Sequence, residues 1–325
     1  MVIFSLLIDV KFGILMIYTA IEVKNLKIGL IDLGSNTIKM NIYQCHNKQY
    51  QNCFYDANYT YIINHVQNDR LTTQGIDKII QTIKMYQTVA QQQQVDLLSC
   101  FSTASLRHIQ NQKQVVDEVF KATGIQIQPL TGKQEAHFNL LSMQTVVSES
   151  EWIGGDLGGG SLQLFCLQQQ RSIFHQSLPL GSLKLYQQFV SDQLPTVQQA
   201  RCLEEYVAQM LSTTCQKPNF SPECIYFMGG SVRTARYLIS SQSDDFSTLE
   251  LQNMIERCLS FPQWAKQQIQ AIQPERLKTV IPGMLVVNQV CNFFGVSRIK
   301  YTSNSVREGY LISLLEQNML DKGKE

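Results

Sequence analysis

Two short stretches place carboxylates on turns nearly bare of side chains. "IDLGSNT" puts Asp32 just before Gly34, Ser35 and Asn36; "GDLGGGS" puts Asp156 just before Gly158, Gly159, Gly160 and Ser161. A tight turn of Gly, Ser and Asn presents successive backbone N–H groups, a concavity suited to anions. Glycine lets the backbone reach an oxyanion with no Cβ in the way, and Ser35, Asn36 and Ser161 add side-chain donors. A carboxylate beside a bound phosphate repels it unless a hard cation lies between. Mg²⁺ suits that place, because it takes one or two carboxylates together with phosphate oxygens and waters. Asp32 and Asp156 therefore read as cation carriers in a phosphate site. For either turn alone, the competing reading is a hairpin whose Asp caps its own backbone.

Other residues could serve the same chemistry. "MGGSVRTA" sets Gly229, Gly230 and Ser231 between a strand and a helix, a third anion site at a helix N-terminus, although Ser is also an ordinary helix cap. "TGKQEAHF" puts Glu135 in the first turn of a helix. The helix dipole favours an acid there, and a general base there could deprotonate a water for attack on phosphorus. Arg107 in "STASLR" can grip phosphate through two N–H groups or lie on a surface. Arg307 and Glu308 in "VREGYL" read as a structural ion pair. The chain contains no G-x-x-x-x-G-K-[ST], no G-x-G-x-x-G, no G-x-S-x-G and no zinc-ligand spacing.

The elements that must hold these residues repeat. Ile28–Leu33 reads as a strand, Gly34–Asn36 as a turn and Thr37–Tyr43 as a second strand. At one constant offset, Asp32 matches Asp156, Leu33 matches Leu157, Gly34 matches Gly158, Thr37 matches Ser161 and Ile38 matches Leu162. Self-similarity at so long a distance implies two copies of one domain, not a solenoid. Ile76, Ile79, Ile80, Ile83 and Tyr86 follow helical spacing, "VDLLSCFST" reads as a buried strand, and residues 105–124 read as one helix ending at Gly124. Strands and helices alternate in both halves, so the expected class is α/β. The expected domains are 27–140 and 141–325, the last helix packing back on the first domain, with residues 1–26 an extension of no assigned role whose true start is Met1 or Met16.

Composition narrows the function. The 325 residues are 44% hydrophobic and 16% charged, with 27 basic and 26 acidic side chains and a net charge of +1. No global field draws the protein to nucleic acid or membrane, so an anionic ligand needs a local site. Nine cysteines without a Cys-x-x-Cys pair suit buried thiols in a reducing cytoplasm.

The ordered set "IDLGSNT", "STASLR", "TGKQEA", "GDLGGGSLQL", "SLPLGSLKL", "MGGSVRTA" and "VIPGMLV…SVREGYL" resembles the exopolyphosphatase/guanosine pentaphosphate phosphatase (Ppx/GppA) family over about Lys27 to Leu315. The family belongs to the actin/sugar-kinase/Hsp70 superfamily. The resemblance implies two actin-like (ribonuclease-H-like) domains enclosing a cleft, and Mg²⁺-dependent release of terminal phosphate from inorganic polyphosphate or pppGpp. It makes Glu135 the catalytic glutamate and Asp32 and Asp156 the metal-site aspartates. It makes Gly34, Ser35, Asn36, Arg107 and Gly158 to Ser161 the phosphate contacts. The chain departs from the family at Gln134, Leu162 and Gln163, and at Thr302–Ser303, where the usual residues include three carboxylates. Two other readings stay open: a regulatory protein that binds polyphosphate or guanosine tetra- and pentaphosphate without turnover, and an ATP-dependent kinase of the same superfamily. A homodimer is left open too.

Overall fold

The computed structural model describes residues 25–46, 49–169, 171–240 and 243–322. The expected N-terminal extension lies outside the described residues up to position 24. Two compact units emerge: the residues up to Leu130 together with those from Ser313, and Thr131–Ile312. The division falls at 130/131, ten residues ahead of the expected 140/141, so the helix carrying Glu135 goes with the second unit.

In the first unit, β1 (Leu26–Leu33), β2 (Ile38–His46) and β3 (Gln49–Asn58) form an antiparallel meander. A small hairpin, β4 (Val66–Gln67) and β5 (Arg70–Leu71), precedes α1 (Thr73–Gln92), β6 (Leu97–Ser102), α2 (Ala104–Arg107), α3 (Gln112–Thr123) and β7 (Ile127–Pro129). The sheet runs β3-β2-β1-β6-β7, with β6 parallel to β1 and β7 parallel to β6. Central β1 reads LKIGLIDL because a strand at the centre of such a sheet is covered on both faces; Asp32, 6% exposed, is its one acidic residue. Helix α1 packs its Ile76, Ile79, Ile83 and Tyr86 stripe inward, and the Tyr86 hydroxyl donates to the Ile38 carbonyl.

The single helix expected over 105–124 is two, broken at His108–Asn111. The Asn111 amide exchanges two 2.9 Å hydrogen bonds with the Leu71 backbone, and the Gln110 N–H donates to the Asp69 carbonyl. Pairing with a distant hairpin outcompetes the local helical bonds.

The second unit contains α4 (Gly132–Met143), β8 (Glu151–Leu157), β9 (Leu162–Gln168), β10 (Arg171–Leu178), α5 (Ser182–Phe189) and α6 (Val197–Thr214). It continues with β11 (Cys224–Met228), α7 (Gly230–Ile239), β12 (Asp245–Ser247), α8 (Thr248–Ser260), α9 (Pro262–Ile272), α10 (Val280–Phe294), β13 (Arg298–Tyr301) and the start of α11 (Val306–Lys322), whose residues from Ser313 on belong to the first unit. Its sheet runs β10-β9-β8-β11-β13-β12. Helix α10 is buried nearly all round, as an apolar helix at the centre of a domain must be.

Both sheets thus share a plan, an antiparallel meander followed by two strands parallel to the first, to which the second sheet adds the antiparallel edge strand β12. This is the ribonuclease-H-like arrangement expected of a duplicated actin-like domain. Among the described residues no helix is long and apolar enough to cross a membrane. All nine cysteines are free thiols; Cys53 and Cys202 are exposed, while Cys45, Cys100, Cys166, Cys258 and Cys291 are buried. Burial pushes the Cys45 and Cys258 thiols up to about 11.

Candidate phosphate-binding turns

The sequence repeat holds to the hydrogen bond. In β1–β2, Asp32 faces Lys39 and Leu33 faces Ile38 across the ladder; in β8–β9, Asp156 faces Gln163 and Leu157 faces Leu162. Each turn is closed by one bond between equivalent atoms, Gly34 N–H to Thr37 carbonyl at 3.1 Å and Gly158 N–H to Ser161 carbonyl at 3.0 Å. Each aspartate is the penultimate residue of its strand, where a side chain stands beside the turn's amides.

In the first unit, the turn's carbonyls are occupied. Ser35 and Asn36 accept from the N–H groups of Ile63 and Tyr61; Tyr61 takes a left-handed φ of 49° to do so. The Ser105 hydroxyl and the Thr103 N–H both donate to the Leu33 carbonyl. Asp32 has the Lys39 ammonium 4.0 Å from its Oδ2. Arg107, at the end of α2, donates from Nε to the Leu130 carbonyl at 3.2 Å, which fixes one edge of its guanidinium.

In the second unit, the first N–H groups of α5 serve the turn: Ser182 donates to Gly158, and Leu183 and Lys184 donate to Gly159. The carbonyls of Gly158 and Gly159 are thus turned to α5, while the Gly158 N–H closes the turn on the Ser161 carbonyl. Close packing enforces this. A Cβ on Gly181 would lie 2.2 Å from the Gly160 carbonyl carbon and 2.3 Å from the Ser161 nitrogen. Gly229, at φ 113°, lies so close to Leu157 that a Cβ would meet its carbonyl oxygen at 2.4 Å. Ser231 is buried, and its hydroxyl shares a 3.1 Å hydrogen bond with that of Ser182. It therefore ties α7 to α5 beneath the turn, while the Arg276 guanidinium lies over Gly230.

Glu135 sits on α4 and is 5% exposed. The helix starts on a capping box: Thr131 Oγ1 accepts from the Gln134 N–H at 3.2 Å, and Gln134 Oε1 accepts from the Thr131 N–H at 2.9 Å. Gln or Glu serves equally in that box, so Gln134 is accounted for by the cap. One helical turn on from Glu135, the fully buried Asn139 donates from Nδ2 to Asp156 Oδ2 at 3.0 Å. Residues i and i+4 share a helix face, so α4 presents Glu135 on the side that reaches Asp156. Arg307 and Glu308 open α11, where Glu308 Oε2 accepts from the Ser305 N–H and hydroxyl and so caps the helix.

Sequence reasoning missed Asn139, Gly181 and Gly309. Each acts through a contact distant in sequence; for Gly309 the contact is α4 itself, since a Cβ there would overlap the Phe138 carbonyl oxygen at 1.7 Å. Gly181 and Gly309 do lie inside the quoted "SLPLGSLKL" and "VREGYL", which was the available signal.

A model of the Ppx/GppA phosphatase family matches residues 60–318. The chain is 21% identical over 309 residues to exopolyphosphatase 1 of Mycobacterium tuberculosis, covering 90% of this chain and 89% of that protein. Among solved structures it is similar to the Aquifex aeolicus Ppx/GppA family member, with a TM-score of 0.78, 19% identity and coverage of 90% of this chain and 99% of the other. An exopolyphosphatase from Cytophaga hutchinsonii has a TM-score of 0.78 at 17% identity, over 90% and 98% of the two chains. With the family model spanning most of a chain folded as two actin-like units, each opening on the same aspartate turn, this protein belongs to the Ppx/GppA phosphatase family and is a phosphohydrolase.

Proposed function

We propose that the chain is a Mg²⁺-dependent phosphohydrolase that releases the terminal phosphate of inorganic polyphosphate, pppGpp being the alternative substrate with the same terminal phosphoanhydride. The observation that carries this is the twice-built turn, aspartate and amides together, in a member of a phosphatase family. The exopolyphosphatase relatives favour polyphosphate. The donor set is oxygen, which suits Mg²⁺. Among the described residues no group of three His, Cys, Asp or Glu could hold a metal, and Mg²⁺ needs none, since phosphate and water complete its shell.

In this reading the turns Gly34–Asn36 and Gly158–Ser161 bind phosphate oxygens, together with Arg107, through the amides other than the Gly34 and Gly158 N–H groups that close them; the Gly229–Gly230 turn supports the second of these. Asp32 and Asp156 would hold Mg²⁺, which when bound would supply positive charge to offset that on the transferring phosphoryl group. Glu135 takes a proton from a water whose oxygen bonds to the terminal phosphorus. The bridging P–O bond breaks, and its electron pair leaves with the shortened chain. The protein works in the cytoplasm without nucleic-acid or membrane partners.

The test measures phosphate release from polyphosphate and pppGpp side by side, with Mg²⁺ and with a chelator. Glu135→Gln should lower kcat by about 10²- to 10⁴-fold, the usual contribution of a general base; wild-type turnover in that variant would remove Glu135 from the role. Binding of either compound with no phosphate release would instead favour the regulatory reading, which Gln163, an amide where the family carries a carboxylate, keeps in view. ATP-driven phosphorylation of a sugar without polyphosphate hydrolysis would favour the kinase.

A further inference from the structure

Gln163 is fully buried on β9, directly across the ladder from Asp156 on one side and from Ser177 on the other. Its Nε2 donates to Ser161 Oγ at 2.7 Å and to Ser177 Oγ at 3.0 Å, while Oε1 is buried with no hydrogen-bond partner. Physical chemistry favours this orientation of the amide. Turned over, Oε1 would accept from two hydroxyls, but both N–H groups would then be buried without acceptors. Orphaned donors are rarer and costlier than one under-used carbonyl.

The direction of these bonds matters for Ser161. A hydroxyl has one proton and two lone pairs. Because Ser161 Oγ accepts from Gln163, its own proton is free to point elsewhere. A glutamate at this position would reverse the polarity: an ionised carboxylate only accepts, so it would draw the Ser161 proton inward.

We propose that Gln163 is a positioning residue that makes Ser161 a hydrogen-bond donor to the phosphate bound at the 158–161 turn. In this view the amide is not a vestige of a lost metal ligand; it fixes the polarity of the turn's one side-chain donor. The proposal rests on the functional reading above, in which that turn holds phosphate.

The experiment uses the full chain and inorganic tripolyphosphate as probe, with binding measured by calorimetry and phosphate release by steady-state kinetics. Ser161→Ala and Gln163→Glu should each raise KM and the dissociation constant by about 10-fold or more, the loss of one donor to a charged acceptor. Their kcat values should change little, as expected when a contact is equal in ground and transition states. The double variant should be no worse than either single one, because residues acting through one contact are not additive. Lowering the pH protonates the introduced carboxylate and restores an O–H donor, so binding should recover in Gln163→Glu and not in Ser161→Ala. Gln163→Met keeps the length and donates nothing; it should raise KM without the acid recovery, and it carries the test if a charge at this position prevents folding. Unchanged or lowered KM in Gln163→Glu, or additive effects of the two sites, would overturn the proposal while leaving the functional reading intact. A wild-type protein that neither binds nor hydrolyses tripolyphosphate would overturn both.

Discussion

If Asp156 carries the proposed cation it must be held in a fixed direction, and Asn139 holds it through a 3.0 Å bond to one of its oxygens. Outer contacts of this kind orient a metal ligand and are worth about 10- to 100-fold in metal affinity. Asn139→Leu should therefore raise the Mg²⁺ concentration for half-maximal phosphate release by that factor, with folding intact by circular dichroism; an unchanged Mg²⁺ titration would remove Asn139 from this role. The repeated aspartate turns were legible as residue types at a constant offset, and the matching strand registers bear out the repeat. Asn139 was not, because its partner lies on another element, and local pattern carries no information about that contact. Gln134 looked like a missing carboxylate in one dimension and is a helix cap in three.

The elements show the same division. Strands β1, β2, β8 and β9 and the turns between them follow from hydrophobic runs broken by Gly, Ser and Asn. Edge strand β3, QYQNCFYDAN, is mostly exposed or half-buried, so it shows no apolar run to betray it. The break between α2 and α3 depends on Asn111 reaching Leu71, again a long-range contact. Close backbone approach is equally silent in sequence beyond the presence of a glycine. Gly181 gives it a test: with backbone atoms of Gly159, Gly160 and Ser161 all within 2.4 Å of an added Cβ, Gly181→Ala must move the turn. It should cost roughly 1–3 kcal/mol, the usual range for overpacking, and raise KM for polyphosphate as the amides shift. A variant with wild-type melting temperature and KM would mean that the turn tolerates displacement.

For the whole molecule, His175 should contribute to a fall of stability on the acid side. His175, on β10, lies 5.5 Å ring to ring from His137, and Ser172 Oγ is 3.1 Å from its Nδ1. Partial burial holds its pKa below the ordinary 6.5, with the charges of His137 and Lys133 on α4 acting in the same direction. The unfolded chain therefore binds this proton more tightly than the folded one. The contribution is complete above the ordinary value of 6.5 and declines as the pH falls from there through the lower folded value. His175→Gln should flatten the fall of the melting temperature as the pH drops below the ordinary histidine value of 6.5; an identical slope would assign the acid sensitivity elsewhere.

The distribution of thiols supplies an experimental handle. Cys53 belongs to the first unit and Cys202 to the second, and both are exposed, whereas the five buried cysteines are shielded from reagents. Thiolate, not thiol, is the reacting form, so burial that raises a thiol's pKa protects it twice over. Once the half-buried Cys215 and Cys224 are replaced by serine, brief treatment with a maleimide dye or spin label at neutral pH should mark one native position in each half. A spectroscopic ruler placed that way would report whether the distance between the two labels changes when tripolyphosphate is added.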